Sequence, residues 1–167
     1  IRSLARTKRL NDNLDDALSA LESLARMVEA RDRTTGDHCD RLAQLGYAFG
    51  TRLGLSRDDL WALTHGGVLH DVGKVGIPDA VLLKEGPLDD DEWEVMRRHP
   101  EIGAELLQPL RTMERVIPIV RHHHERWDGC GYPQGLAGEA IPLTARIMAV
   151  ADSYDAMTSD RAYRGAM

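Results

Sequence analysis

The 167-residue chain is 43% hydrophobic and 29% charged, with a formal net charge of −6, which describes one globular domain with enough apolar residues for a core. The acidic balance excludes a general binder of nucleic-acid polymers, which would be basic, but a small anionic substrate stays compatible because bound cations reverse the local sign. No apolar run approaches the roughly 18 residues of a membrane span, no signal peptide is recognisable, and Cys39 and Cys130 are far apart and unpatterned, which points to a reducing, cytoplasmic compartment.

Residues 1–31 contain neither Gly nor Pro and read as one long helix. Leu14, Leu18, Leu21, Ala25 and Val28 are spaced 4, 3, 4, 3, a heptad seam that extrapolates back through Asn11, Thr7 and Leu4. Two readings fit: a coiled-coil linker that forms a homodimer through residues 4–28, or an amphipathic helix packed on its own domain. Gly36 breaks the pattern, and a second helix is expected from about Asp37 to Arg52. Ser56 suits the N-cap of a third, with Asp58 and Asp59 in its first turn; it should end near Asp71. Residues 72–88 read as a loop with a helical turn after Pro78. Asp89 or Asp90 caps the next helix, Pro100 restarts one that runs to Leu107, and residues 112–124 form another, kinked or started late by Pro118. Residues 125–141 are a glycine-rich irregular loop, of the kind that often carries function. Pro142 then opens a helix to about Thr158. Strand-like alternation is nearly absent, so the class is all-α. The expected organisation is a linker or dimerisation helix over 1–30 and one domain over 31–167. Starting at Ile1 and stopping at "RAYRGAM", the chain reads as part of a longer polypeptide, truncated at its C-terminus.

Seven histidines are present, three of them consecutive in "VRHHHERWDGCGYP". His70 and Asp71 end the third helix in "GGVLHDVG", and Asp152 lies in "IMAVADSYDAM". Polar groups in such apolar settings need partners. With His38, His99 and two of the triple histidines, these residues make an imidazole and carboxylate set suited to iron, manganese or zinc. Five histidines and two aspartates exceed what one ion takes, and Asp71 is the natural bridging carboxylate. Two ions about 3.5–4 Å apart clamp a phosphoryl group during in-line displacement, which is phosphoester hydrolysis. Consecutive helical residues point about 100° apart, so His122 and His124 cannot serve one site from a regular helix.

The stretches "HDVGKVGIP", "HPEIGAELL", "HHERWDGCGYPQGL" and "IPLTARIMAVADSYDAMTSDRAYR" together closely resemble the HD-GYP domain, a subgroup of the HD phosphohydrolases. The resemblance runs from about Glu29 to the last residue. It implies an all-α HD bundle around a metal centre, acting as the output domain of a bacterial signalling protein. The implied activity is hydrolysis of cyclic di-GMP to linear pGpG, in some members onward to GMP. The metal ligands it implies are His38, His70, Asp71, His99, His123, His124 and Asp152. The register fixed by Glu125 and the Gly-Tyr-Pro selects the last two of the triple histidines, leaving His122 facing away. Asp71 and Lys74 become the catalytic pair, with Lys74 on the scissile phosphate. Tyr132, Arg161 and Arg164 resemble further substrate contacts.

Two departures from the family pattern stand out. A glutamate that helps some members hold a third metal is replaced by Thr34, so two divalent ions are expected, iron or manganese. Cys130 stands where a small hydroxyl residue is more common. The implied partners are cyclic di-GMP and an upstream sensory or receiver domain, with no nucleic-acid polymer and no membrane. The alternative is a catalytically inactive cyclic-dinucleotide sensor or protein-interaction module. His65 matches no motif and reads as helix surface or packing. Trp61, Trp93 and Trp127 read as core or loop packing.

Overall fold

The computed structural model describes residues 2–31 and 37–159, with the side chains of Arg6, Lys8 and those from Leu14 onward. Helix α1 (Arg2–Arg31) is followed by α2 (His38–Arg52) and α3 (Arg57–Leu69). A 3-10 turn over Val72–Gly76 leads into α4 (Asp79–Leu82), α5 (Asp90–Met96) and α6 (His99–Leu107). After a second 3-10 turn come α7 (Ile117–His122) and, beyond the glycine-rich loop, α8 (Leu143–Thr158). Among the described residues there is no strand, only an isolated bridge between Asp128 and Ala137.

The helix starts follow the local chemistry. Ser56 adopts an extended backbone and its hydroxyl accepts from the Asp59 N–H at 3.2 Å, capping α3. Asp89, not Asp90, caps α5, in a full capping box with Glu92. Pro118 delays α7 rather than kinking it: the helix starts at Ile117, with proline in its first turn, where no amide hydrogen is needed. The stretch expected as one helix over 112–124 is thus a 3-10 turn followed by a short α-helix.

The core lies where α2, α3, α6, α7 and α8 meet. Leu42, Leu63, Leu69, Leu107, Met113, Ile119 and Met148 are fully buried there. The C-terminal half of α1 joins it: Ala25 and Val28 are buried, with Leu18 and Leu21 packed against the cluster. His65 on α3 binds this helix too, its Nδ1 2.6 Å from Glu22 Oε1. Four of the five seam residues therefore serve the chain's own domain, as an amphipathic helix would. Among the described side chains, the large apolar residues that α1 leaves exposed are Leu14, Leu24 and Met27.

Close approach needs one glycine above the others. A Cβ on Gly73 would lie 1.9 Å from the His99 carbonyl oxygen and 2.5 Å from the Gly103 nitrogen. Only a residue without a side chain lets the turn after His70 and Asp71 press against the start of α6.

Candidate metal centre

All but one of the candidate side chains come from element ends that converge. His38 opens α2, His70 and Asp71 follow α3, His99 opens α6, His123 and His124 follow α7, and Asp152 lies within α8. They form two groups, His38 with His70 and Asp152, and Asp71 with His99, His123 and His124. In each, the potential ligand atoms lie within 4.8 Å of one another. Asp71 joins the groups. Its Oδ1 lies 3.1 Å from His99 Nε2 and 3.6 Å from His123 Nε2. Its Oδ2 lies 3.3 Å from His70 Nε2 and 2.8 Å from Lys74 Nζ.

The rings are aimed by their other nitrogens. Nδ1 of His70, His99 and His123 lies 3.0, 2.8 and 2.9 Å from the carbonyl oxygens of Gly67, Met96 and Val120, each three residues back. A carbonyl only accepts, so each Nδ1 carries a proton and each Nε2 turns toward Asp71. His38 uses a carboxylate for the same purpose: Nδ1 donates to Asp155 Oδ2 at 2.6 Å, and Nε2 faces Asp152 Oδ1 at 3.5 Å. Such outer partners are the usual means of orienting metal-binding imidazoles.

Asp71 Oδ1, His99 Nε2 and His123 Nε2 are buried and make no hydrogen bond, whereas buried polar atoms are normally paired. Three converging unbonded donors of this type fit a divalent cation of intermediate softness. The electrostatics agree. Burial lowers the pKa of His123 and of His124, favouring the neutral ring that a metal requires. Burial alone would raise Asp71, but Lys74 and His70 hold it well below the usual carboxylate range. Burial also opposes charge on His70, yet the charge and hydrogen bond of Asp71 prevail and push it up to about 9.

The glycine-rich loop forms one wall. Both oxygens of buried Glu125 accept loop amides, Gln134 N–H at 2.8 Å and Leu136 N–H at 3.0 Å. Gly131 packs so closely that a Cβ would lie 2.3 Å from the Arg126 nitrogen. Tyr132, whose peptide bond to Pro133 is cis, stacks on His124 with centroids 4.8 Å apart and planes at 27°. Burial pushes its phenol well above the usual value. A cleft of about 360 Å³ opens beside His123, His124 and Asp152, with Tyr132, Trp93 and Arg97 among its walls.

The expected metal residues therefore gather at one place, and Tyr132 joins them; Lys74 contacts Asp71. Arg161, Arg164 and Thr34 lie outside the described residues. His122 belongs to neither group; it is buried with Nδ1 3.7 Å from Glu125 Oε1. Two tryptophans depart from the packing expectation. Trp93 is 42% exposed in the cleft wall, with the Arg97 guanidinium 5.8 Å from its ring centroid. Trp127 is exposed, with Arg146 over its ring. Sequence reading missed Asp155 and Arg97, and used Glu125 only to fix the histidine register. Asp155 carried a usable signal: like Asp152, it is an acid in the apolar surroundings of α8.

A profile of the HD domain family matches residues 15–167. The chain belongs to the HD domain family. Its motifs place it in the HD-GYP branch. It is 45% identical over 159 residues to a cyclic di-GMP phosphodiesterase response regulator of Xanthomonas campestris, covering 94% of this chain and 42% of that protein. It is 43% identical over 144 residues to a 3'3'-cGAMP-specific phosphodiesterase of Vibrio cholerae, covering 85% of this chain and 28% of that protein. The crystal structure of a cyclic GMP-AMP specific phosphodiesterase from Vibrio cholerae superposes with a TM-score of 0.63 at 26% identity, over 82% of this HD domain and 40% of that chain. The chain spans less than half the length of these curated relatives.

Proposed function

We propose that this HD domain is a metal-dependent phosphodiesterase that opens cyclic di-GMP to linear pGpG. The observation that carries the reading is the set of four imidazoles whose Nδ1 protons are committed outward, so that their Nε2 atoms turn inward toward Asp71 and Asp152. Relatives named for cyclic-dinucleotide hydrolysis, at 45% and 43% identity, supply the substrate class.

His38, His70 and Asp152 would hold one ion, His99, His123 and His124 the second, with Asp71 between them. Iron and manganese both accept this donor mix. Bound there, two such cations supply Lewis acidity and an activated water for in-line attack at phosphorus. The chain's own groups do the rest. Lys74, 2.8 Å from Asp71, is close enough to the site to neutralise charge on non-bridging phosphate oxygens. Tyr132 closes the wall beside His124 and excludes water. Arg161 and Arg164 complete the substrate contacts in this reading. The same reading has an upstream sensory or receiver domain, a cytoplasmic location and a homodimer through residues 4–28. Exposed Leu24 and Met27 offer the dimer apolar surface that the core does not use, and exposed Leu14 continues the seam beyond the core.

The test is turnover of cyclic di-GMP and 3'3'-cGAMP, separately, by iron- or manganese-loaded protein with products resolved by chromatography. Cyclic di-GMP is expected to give pGpG. Turnover of 3'3'-cGAMP alone reassigns the substrate, and tight binding without product makes the domain a sensor.

A further inference from the structure

Helix α1 supplies none of the residues assigned to the site so far, yet its last turn reaches it. Glu29 is 4% exposed. Its Oε2 accepts a hydrogen bond from the Cys39 thiol. Its Oε1 has no hydrogen-bond partner and lies 3.9 Å from His38 Nε2, too far for a hydrogen bond. The Nδ1 of His38 is committed to Asp155, so its Nε2 presents a lone pair. Asp152 Oδ1 lies 3.5 Å from that same nitrogen. Two carboxylate oxygens thus face one imidazole lone pair in a buried place, an unfavourable meeting unless a cation lies among them. Metal–donor bonds of about 2.0–2.2 Å let two donors on one ion stand up to about 4.2 Å apart, so both separations from His38 fit. Glu29 stands outside the group of His38, His70 and Asp152 whose donor atoms lie within 4.8 Å of one another, so its carboxylate has to turn inward to share their ion.

We propose that Glu29 is a further ligand of the ion held by His38, His70 and Asp152. The assignment rests on the two-ion centre proposed for this site. It adds a donor from the linker helix to donors from α2, α8 and the end of α3. Among the described residues Glu29 is the one α1 side chain that reaches the centre, so the seating of α1 on the core sets whether this ion has its full complement.

Titration with Co²⁺, followed by visible absorption and by elemental analysis of bound metal, reads the two ions without any turnover. The wild type is expected to take two. Glu29→Gln, close to it in shape, should bind one Co²⁺ about 10–100-fold more weakly, with that ion's absorption band shifted and the other's unchanged. Glu29→Asp, which withdraws the charge by one methylene, should fall between them. Cys39→Ala, which removes only the thiol donor, should keep both affinities near those of the wild type. The metal-free thermal midpoint of E29Q should stay at or above that of the wild type, because an uncompensated buried charge has gone. Equal Co²⁺ affinities and spectra in E29Q and wild type overturn the ligand role. So does a loss in C39A as large as that in E29Q, or a metal-free E29Q that no longer folds, since either makes Glu29 a packing group. A wild type that binds no Co²⁺ overturns the two-ion centre as well, a failure visible before any variant is compared.

Discussion

His38 Nδ1 lies 2.6 Å from Asp155 Oδ2, while Asp152, one turn earlier on α8, faces the other nitrogen of the same ring from 3.5 Å. One helix brackets one imidazole. Asp155 is itself held by Arg41, which donates to both of its oxygens. Burial would raise this carboxyl, but Arg41 and His38 keep it at about 2, so it is an acceptor at any ordinary pH. Asp155→Asn replaces a charged acceptor by an amide that can present either end to His38. Affinity for Mn²⁺ should fall about 10–100-fold, the usual cost of losing an outer partner, with the helical content unchanged. Calorimetric titration checks it; wild-type affinity in D155N would show that ring packing alone orients His38.

Gly73 stands two residues beyond Asp71, where a Cβ would lie 1.9 Å from the His99 carbonyl oxygen. The contact between its α-carbon and the His99 carbonyl lets Asp71 stand 3.1 Å from His99 Nε2. Gly73→Ala should therefore cost about 1–3 kcal/mol of stability through overpacking, and should separate Asp71 from His99 in the process. Thermal unfolding reads the first effect and metal stoichiometry the second. A G73A protein with wild-type stability and two bound ions would mean that α6 gives way without consequence.

Much of this was legible in the sequence because every candidate ligand but Asp152 sits in a short motif at a helix end, where capping residues and prolines also mark the boundary. Ser56, Asp89 and Pro118 announced their turns through local chemistry alone. The outer partners were legible at most as polar residues in apolar stretches, as Asp155 is; whom they meet depends on tertiary geometry. Nothing near Glu29 or Asp155 in the sequence says that they meet His38, which is nine residues from one and 117 from the other. The heptad spacing of α1 was real but ambiguous, because a seam and a core-facing stripe share the same period. Trp93 was misread for a related reason: apolar character predicts burial on average, and a cleft wall is the exception.

Glu125 acts on the loop rather than on a metal. Its two oxygens hold the amides of Gln134 and Leu136, which keeps Tyr132 against His124. Glu125→Gln turns one acceptor into a donor facing an N–H. It should lower stability by about 1–3 kcal/mol and raise KM for the cyclic dinucleotide, while metal content stays at the wild-type level. Loss of metal in E125Q would instead tie this carboxylate to the centre through His122.

Trp93 and Arg97 line the cleft that opens beside His123, His124 and Asp152, and in the proposed reading a base of the cyclic dinucleotide enters it. Arg97 lies between two rings, 5.8 Å from the centroid of Trp93 and 5.9 Å from that of Tyr132. Base–aromatic stacking contributes about 1–3 kcal/mol per base, so Trp93→Ala should raise KM about 5- to 150-fold with kcat nearly unchanged. Steady-state kinetics on cyclic di-GMP decides it. An effect confined to kcat would remove Trp93 from base recognition.

The pH response should differ in sign between metal-free and metal-loaded protein. His70 is raised to about 9 beside Asp71, against about 6.5 in an unfolded chain. Without metal, this shift contributes stability that is fully present below about pH 6.5 and is lost as pH rises through about 9. With metal, the His70 proton has to leave for Nε2 to bind. Affinity should therefore rise about tenfold per pH unit over that window and level off beyond it. His123 and His124, lowered by burial, are already neutral there and add no slope. Thermal midpoints of metal-free and Mn²⁺-loaded protein from pH 6 to 9 should diverge as pH rises, the first falling and the second holding or climbing. Parallel curves would mean that His70 does not exchange its proton for an ion.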